Sequence, residues 1–402
     1  MNINNRWIRG AIPALLLHCS IGSVYAWSLF VNPISQYIGK STSSVQFSFS
    51  LAIFFLGMSA AFFGGVVEKN IKRSSLLAVI CFCSGLLLAS LAMKTKSLPL
   101  LYLGYGVVMG VGLGLGYLSP VKTLVMWFAD RKGLATGIAI MGFGLASTIA
   151  SPIITYLTAN YSLQTTFIIM ACIYFVPMFL AHLLIKKPYD DHSAEEVSFN
   201  VKEMLSNKTV IFIWLMFYLN IHCGLSLIST AAPLMAEQGV SVTVAATVVA
   251  IMGIFNASGR LGFATASDFV KDRIIMYRIV FALSIVGVIF GIVLGVKTGI
   301  VVVLMALLCV VSANYGAGFS CLPALLSDRF SMNIISRIHG LCLSAWGIAG
   351  LTGNLMASFI HDRVGNYTTV LYVLVVLYAL AFFFSTRVPA APRKVETGPD
   401  QR

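Results

Sequence analysis

Twelve stretches of the chain are apolar over 20 residues or more: 8–32, 44–67, 74–93, 98–126, 133–157, 163–185, 209–236, 242–266, 274–296, 299–326, 337–360 and 366–386. Each is long enough to cross the hydrocarbon core of a bilayer as a helix, which takes about 20 residues. Gly and Pro inside such runs are ordinary in membrane helices. Between the sixth and seventh runs lies the only long polar stretch, KKPYDDHSAEEVSFNVKEMLSNK. It divides the chain into residues 1–185 and 209–402, joined by a linker at 186–208. The pattern predicts an all-α membrane protein of twelve transmembrane helices in two six-helix bundles, the layout of a transporter.

Composition agrees with the pattern. Apolar residues make up 58% of the 402 and charged residues 10%, with a mean hydropathy of +0.90. These values exclude a soluble fold of this size. The net charge of +13 does not imply nucleic acid, because the cations are dispersed between apolar spans and act as topology signals. With both termini cytoplasmic, inside segments hold 20 of the 27 Lys and Arg, outside segments hold five, and Lys122 and Arg260 fall within spans. The expected setting is a bacterial inner membrane. The N-terminal run is long, lacks a small-residue cleavage site and is followed by further spans, so it is not expected to be a cleaved signal. The eight cysteines mostly sit in apolar runs without metal-ligand spacing and are expected to be packing residues. No nucleophile–base pair, phosphate loop or metal cluster is evident, so neither an enzyme nor a cofactor is expected.

One charge changes the picture. In IMGIFNASGRLGFATASD, residues 251–268, Arg260 stands among apolar and small residues deep in the eighth span. A cation at that depth costs roughly 2.5–3.5 kcal/mol on insertion scales, and an anionic substrate would offset it. All fourteen Asp and Glu lie in loops or at span ends. Buried cations without buried carboxylates suit an anionic substrate and leave no carboxylate proton relay. If protons are coupled, His18 and His222 are the candidates. At the cytoplasmic span ends, GGVVEKNIKR, WFADRKGLATG, ATASDFVKDR and SDRFSMNIISRIHGL each combine an acid with bases. Glu68, Asp130, Arg131, Asp268 and Asp328 are therefore expected to form a cytoplasmic gate.

GGVVEKNIKR resembles the loop motif of the major facilitator superfamily, with Glu68 where Asp is usual and Ile71 where Gly is usual. WFADRKGLATG, GLGLGYLSP (112–120), GSVYAWSLFVNPI (22–34) and NASGRLGFATASD resemble the oxalate/formate antiporter family, related to the monocarboxylate transporters. The resemblance runs from Trp7 to about Arg387 and implies a major facilitator fold that moves small carboxylates, often by exchange. Oxalate-transporting members hold their substrate between an Arg in the eighth span and a Lys in the eleventh, walled by aromatic rings. Arg260 falls at the Arg position. Tyr25, Tyr117, Tyr315 and Phe319 fall at aromatic positions, and Phe143 at a Tyr position. Trp346 occupies the Lys position, so one fixed cation balances one carboxylate and a monocarboxylate such as formate, lactate or pyruvate is favoured. The Asp that monocarboxylate transporters often carry one turn before the Arg is Asn256 here. Lys122 either snorkels to the interface or restores a second cation near Tyr117, the latter only if Pro120 distorts the helix. The expected partners are a small organic anion and the bilayer, with no nucleic acid and a working monomer. The rival reading is an exporter of a larger amphipathic metabolite or drug, with Arg260 structural. The fifth span lacks the Gly-Pro-x-x-x-Gly pattern frequent in drug antiporters of the superfamily.

Overall fold

A computed structural model describes residues 3–63, 70–128, 132–188, 206–330 and 332–390. Twelve helices among these residues are long and apolar enough to cross a membrane. They are α1 (Trp7–Ala26), α2 (Thr42–Phe62), α3 (Ile71–Thr95), α4 (Leu98–Val121), α5 (Ile140–Asn160), α6 (Leu163–Leu184), α7 (Lys208–Glu237), α8 (Val242–Ser267), α9 (Ile274–Val296), α10 (Val301–Leu326), α11 (Ile338–Val364) and α12 (Thr368–Arg387). The protein is an integral, multi-pass membrane protein.

Short polar residues set where the helices begin. Ser41, Asn70, Ser97, Ser162, Asn207 and Ser241 each accept a hydrogen bond from a backbone N–H in the first turn of the helix that follows. These are the first-turn donors that no helical carbonyl can satisfy. Gly39 ends the extension of α1 at a φ of 65°, a left-handed conformation that favours glycine.

The helices differ in what their apolar surface meets. α6, α9 and α12 expose large residues such as Val176, Phe290 and Val376. A water-soluble protein would bury such faces; on a membrane protein they suit a surface that meets lipid. α7 is 72% buried, against 33% for α6 and α12. The packing partners show a repeat. α1 packs on α5 and α6, α2 on α4, and α3 on α4 and α6. In the same way α7 packs on α11 and α12, α8 on α10, and α9 on α10 and α12. The two sets meet along α2–α11 and α5–α8, contacts that exchange with each other when six is added to the helix number. The α2–α11 crossing depends on absent side chains, because a Cβ on Gly57 would overlap the backbone of Gly347.

The first span departs from the continuous helix expected over 8–32. It tightens to a 3₁₀ helix at Gly22–Ala26, then resumes as an α-helix at Ser28–Ile38. Gly22 lies against α5 so closely that a Cβ there would overlap the carbonyl of Phe143. The irregular turn presents Tyr25 to α5 and α10.

Candidate substrate site

Arg260, on α8, is 1% exposed. Its Nε donates to Asn256 Oδ1 one turn back, at 2.7 Å. Glycines make room for this pair, since a Cβ on Gly316 of α10 would crowd both Asn256 and the Arg260 stem, and Gly144 of α5 lies against Asn256. The guanidinium carbon lies 5.1 Å from the ring centre of Phe319 and 5.8 Å from that of Phe143. Cation–π attraction to the two rings offsets part of the cost of burial. Both terminal nitrogens of Arg260 are buried with no hydrogen-bond partner among the described residues. A guanidinium so placed has two donors in the fork geometry that matches a carboxylate.

Aromatic side chains from five helices surround it. Tyr25 meets Phe143 edge-on at 5.0 Å between ring centres and Tyr315 at 5.6 Å. Trp346 meets Tyr117 at 5.1 Å, Phe143 at 5.9 Å and Phe319 at 4.6 Å. Tyr315 meets Phe319 at 5.2 Å. The hydroxyls of Tyr25 and Tyr315 share one hydrogen bond of 2.5 Å. Two hydroxyls carry two hydrogens and the shared bond uses one, so the pair keeps a donor for a ligand. The Tyr25 hydroxyl lies near the Arg260 guanidinium, within reach of its charge and of a hydrogen bond, though its aligned bond runs to Tyr315.

The structure thus brings together Arg260, Tyr25, Tyr117, Phe143, Tyr315, Phe319 and Trp346, all buried. Sequence reasoning placed Asn256 one turn before Arg260 but did not foresee their bond, although the four-residue spacing on one helix was the signal for it. It named His18 for proton coupling and not among the substrate-site residues. The Lys122 side chain lies outside the described residues; its backbone belongs to the helix that continues α4 to Trp127. The rings are in mutual contact, and beside them a cavity of about 10 Å3, lined by Tyr25, Ser147, Ile228, Met252, Asn256 and Ser312 among others, has room for about one water molecule. A substrate reaches Arg260 only if helices move apart.

Polar contacts sit at both ends of the helices. Where α2 begins and α11 finishes, the Ser43 hydroxyl donates to the Asp362 carboxylate. At the opposite end, Arg273 pairs with Asp268 at 2.9 Å and with Asp328 at 2.5 Å, and Arg329 pairs with Asp272 at 2.6 Å. Burial alone would lower the Arg273 pKa, but the bonds to Asp268 and Asp328 outweigh it and raise it. Asp268 and Asp328 therefore clasp the α8–α9 and α10–α11 connections, both within the last six spans. Glu68, Asp130 and Arg131 lie outside the described residues.

Twelve membrane helices among the described residues, in two packing sets that repeat after six around a buried cation, have the layout of a membrane transporter. The sequence profile of the Major Facilitator Superfamily matches residues 15–353 and 221–401, and the chain belongs to that family. It is 28% identical to the uncharacterised transporter YhjX of Escherichia coli over 353 residues, 86% of each chain. It is 26% identical to the oxalate:formate antiporter of Oxalobacter formigenes, over all of this chain and 96% of that one. The crystal structure of a D-xylose-proton symporter shares the fold, with a TM-score of 0.75 over 94% of this chain and 97% of the other at 15% identity.

Proposed function

We propose that this protein carries small organic anions, monocarboxylates of the formate, lactate or pyruvate type first among them, by alternating access. Residues 1–185 and 209–402 form two halves that rock about the cage, and residues 186–208 join them on the cytoplasmic side. The termini are cytoplasmic, and the membrane is a bacterial inner membrane. The observation that carries this reading is Arg260: fully enclosed, with its two terminal nitrogens unbonded among the described residues. A carboxylate between them and the Tyr25–Tyr315 hydroxyls would satisfy donors that are otherwise costly to bury. The likeness to an oxalate:formate antiporter supports carboxylate transport and an exchange mode. Trp346, with no charge to offer, supports a single carboxylate at neutral pH.

Counterflow into proteoliposomes with labelled formate, lactate, pyruvate, oxalate and succinate tests the reading. Saturable uptake of a monocarboxylate, ahead of the dicarboxylates at neutral pH, is the expected result. Uptake of no panel member by correctly folded protein would overturn it.

A further inference from the structure

The end of the molecule opposite the Arg273 clasp carries a second charged cluster, built on His361 of α11. Its Nε2 lies 3.5 Å from Oε1 of Glu237, the last residue of α7, and its Nδ1 lies 3.8 Å from Asp362 Oδ1. The ring stacks on Tyr367, 4.2 Å between centres at 19°. Glu237 is itself fixed, because its two oxygens accept from the Tyr367 backbone N–H at 3.1 and 2.9 Å where α12 begins. Carboxylate oxygens only accept. A neutral imidazole has one N–H and one lone pair, so between two carboxylates one of its nitrogens always turns a lone pair on an oxygen. The imidazolium turns an N–H on both, and the cluster fits the charged ring.

Asp362 Oδ1 also accepts from the Ser43 hydroxyl of α2, which lies 3.5 Å from the Ser358 carbonyl oxygen as well. One oxygen thus faces the titratable ring in its own set of six helices and α2 in the other set. We propose that His361 is a proton-operated latch on this face: the imidazolium holds Asp362 against Ser43 and keeps the outer side shut, and the neutral ring lets it go. That this face is the outer one, and that the two sets rock, is taken from the reading above. The Asp362 side chain is 52% exposed, so water takes the carboxylate once the charge on the ring is lost. The proton comes from the outer water and returns to it. Acid outside holds the latch and alkali frees it, and no net proton crosses the membrane. By linkage the proton favours the closed face to the degree that the closed face favours the proton.

The groups around the ring give the effect this sign. α7 ends in Glu237, α12 begins at Tyr367, and α11 itself supplies Asp362. Arg363 lies instead over the Phe359 ring, 5.2 Å from its centre. α2 and α10 also pack on α11, and neither 42–53 of the one nor 301–308 of the other carries a titratable side chain. Lys40, Lys94, Lys96 and Lys297 on this face are exposed, where salt screens them.

The test is amide hydrogen exchange over residues 42–50 of α2, read by mass spectrometry on the purified full-length protein. It is run at about pH 5.5 and about pH 8, either side of the range in which imidazoles ordinarily titrate. Each variant is compared with the wild type at the same pH, which cancels the chemical pH dependence of exchange. At pH 5.5 the wild type should be about two- to fivefold better protected than His361→Gln, the scale of a partly exposed ion pair, and at pH 8 the two should coincide. His361→Arg, a fixed cation able to stack on Tyr367, should be protected at both. Equal protection of wild type and His361→Gln at pH 5.5 would overturn the proposal. So would a difference of the same size at both pH values, which is what a merely structural ring gives. If His361→Gln does not fold, Asp362→Asn decides. It should match the wild type at pH 8 and lose protection at pH 5.5, and a match at both overturns the latch. No anion enters this measurement, so protection that ignores pH sinks the latch alone, whereas absent anion uptake sinks the anion reading alone.

Discussion

Arg260 concentrates the energetics of the molecule in one side chain. Its Nε is satisfied by Asn256, two ring faces lie near the guanidinium, and the outer nitrogens keep their donors for something else. A structural arginine in a bundle usually finds carbonyls or carboxylates for those nitrogens. The hydroxyl pair makes a second residue-scale prediction. Tyr315→Phe leaves the ring wall in place and removes the partner that orients the Tyr25 hydroxyl, so the one donor left to the pair is no longer held in position. Transport affinity should fall by up to about tenfold, the lower end of the worth of a hydrogen bond to a charged group. Unchanged KM in counterflow would remove Tyr315 from the site. At this scale the sequence was informative where chemistry is expensive. An intramembrane charge announces itself, and the aromatic positions followed from family likeness. The neighbourhood of His18 could not be read, because its bond to Tyr117 joins positions 99 residues apart. The first span marks His18 only as an ionisable residue in an apolar run, without showing what it touches.

At the scale of elements, the helix crossings determine how closely the cage can shut. α2 and α11 touch backbone to backbone at Gly57 and Gly347. Gly57→Val should hold them apart and destabilise the closed state by about 1–3 kcal/mol, as overpacking does. The variant should melt several degrees lower in a detergent thermal-shift assay; an unchanged Tm would mean that the crossing is loose. The clasp of Arg273 and Arg329 on Asp268, Asp272 and Asp328 is partly solvent-exposed, so Asp328→Asn should cost only about 1 kcal/mol or less. A Tm loss above that of Gly57→Val would contradict this ranking. Element existence was legible because a bilayer imposes length and apolarity on every span. Detail within elements was less so. The 3₁₀ turn at Gly22–Ala26 arises from close approach to α5, a tertiary cause that leaves only a lone Gly-Ser in the sequence. The gate acids illustrate a second limit. Acid–base clusters at span ends were plain to see, but which loops they join depends on helix order around the bundle, and Asp268 and Asp328 join loops of the same six spans.

At the scale of the whole molecule, the described spans fall into two sets of six whose packing partners repeat, meeting along α2–α11 and α5–α8. The cage draws on both sets: Tyr25, Tyr117 and Phe143 come from the first, Arg260, Tyr315, Phe319 and Trp346 from the second. Rocking one set against the other would therefore part the rings and expose Arg260 first to one side and then to the other. Closed, the rings exclude water from the charge, which would strengthen its hold on the anion proposed here. The measurement closest to this account is counterflow of labelled pyruvate in proteoliposomes by wild type and Arg260→Gln side by side, with folding checked by thermal melting. The account predicts saturable exchange in the wild type and a loss of at least tenfold in the variant at matched stability. Exchange by Arg260→Gln at the wild-type rate would contradict it.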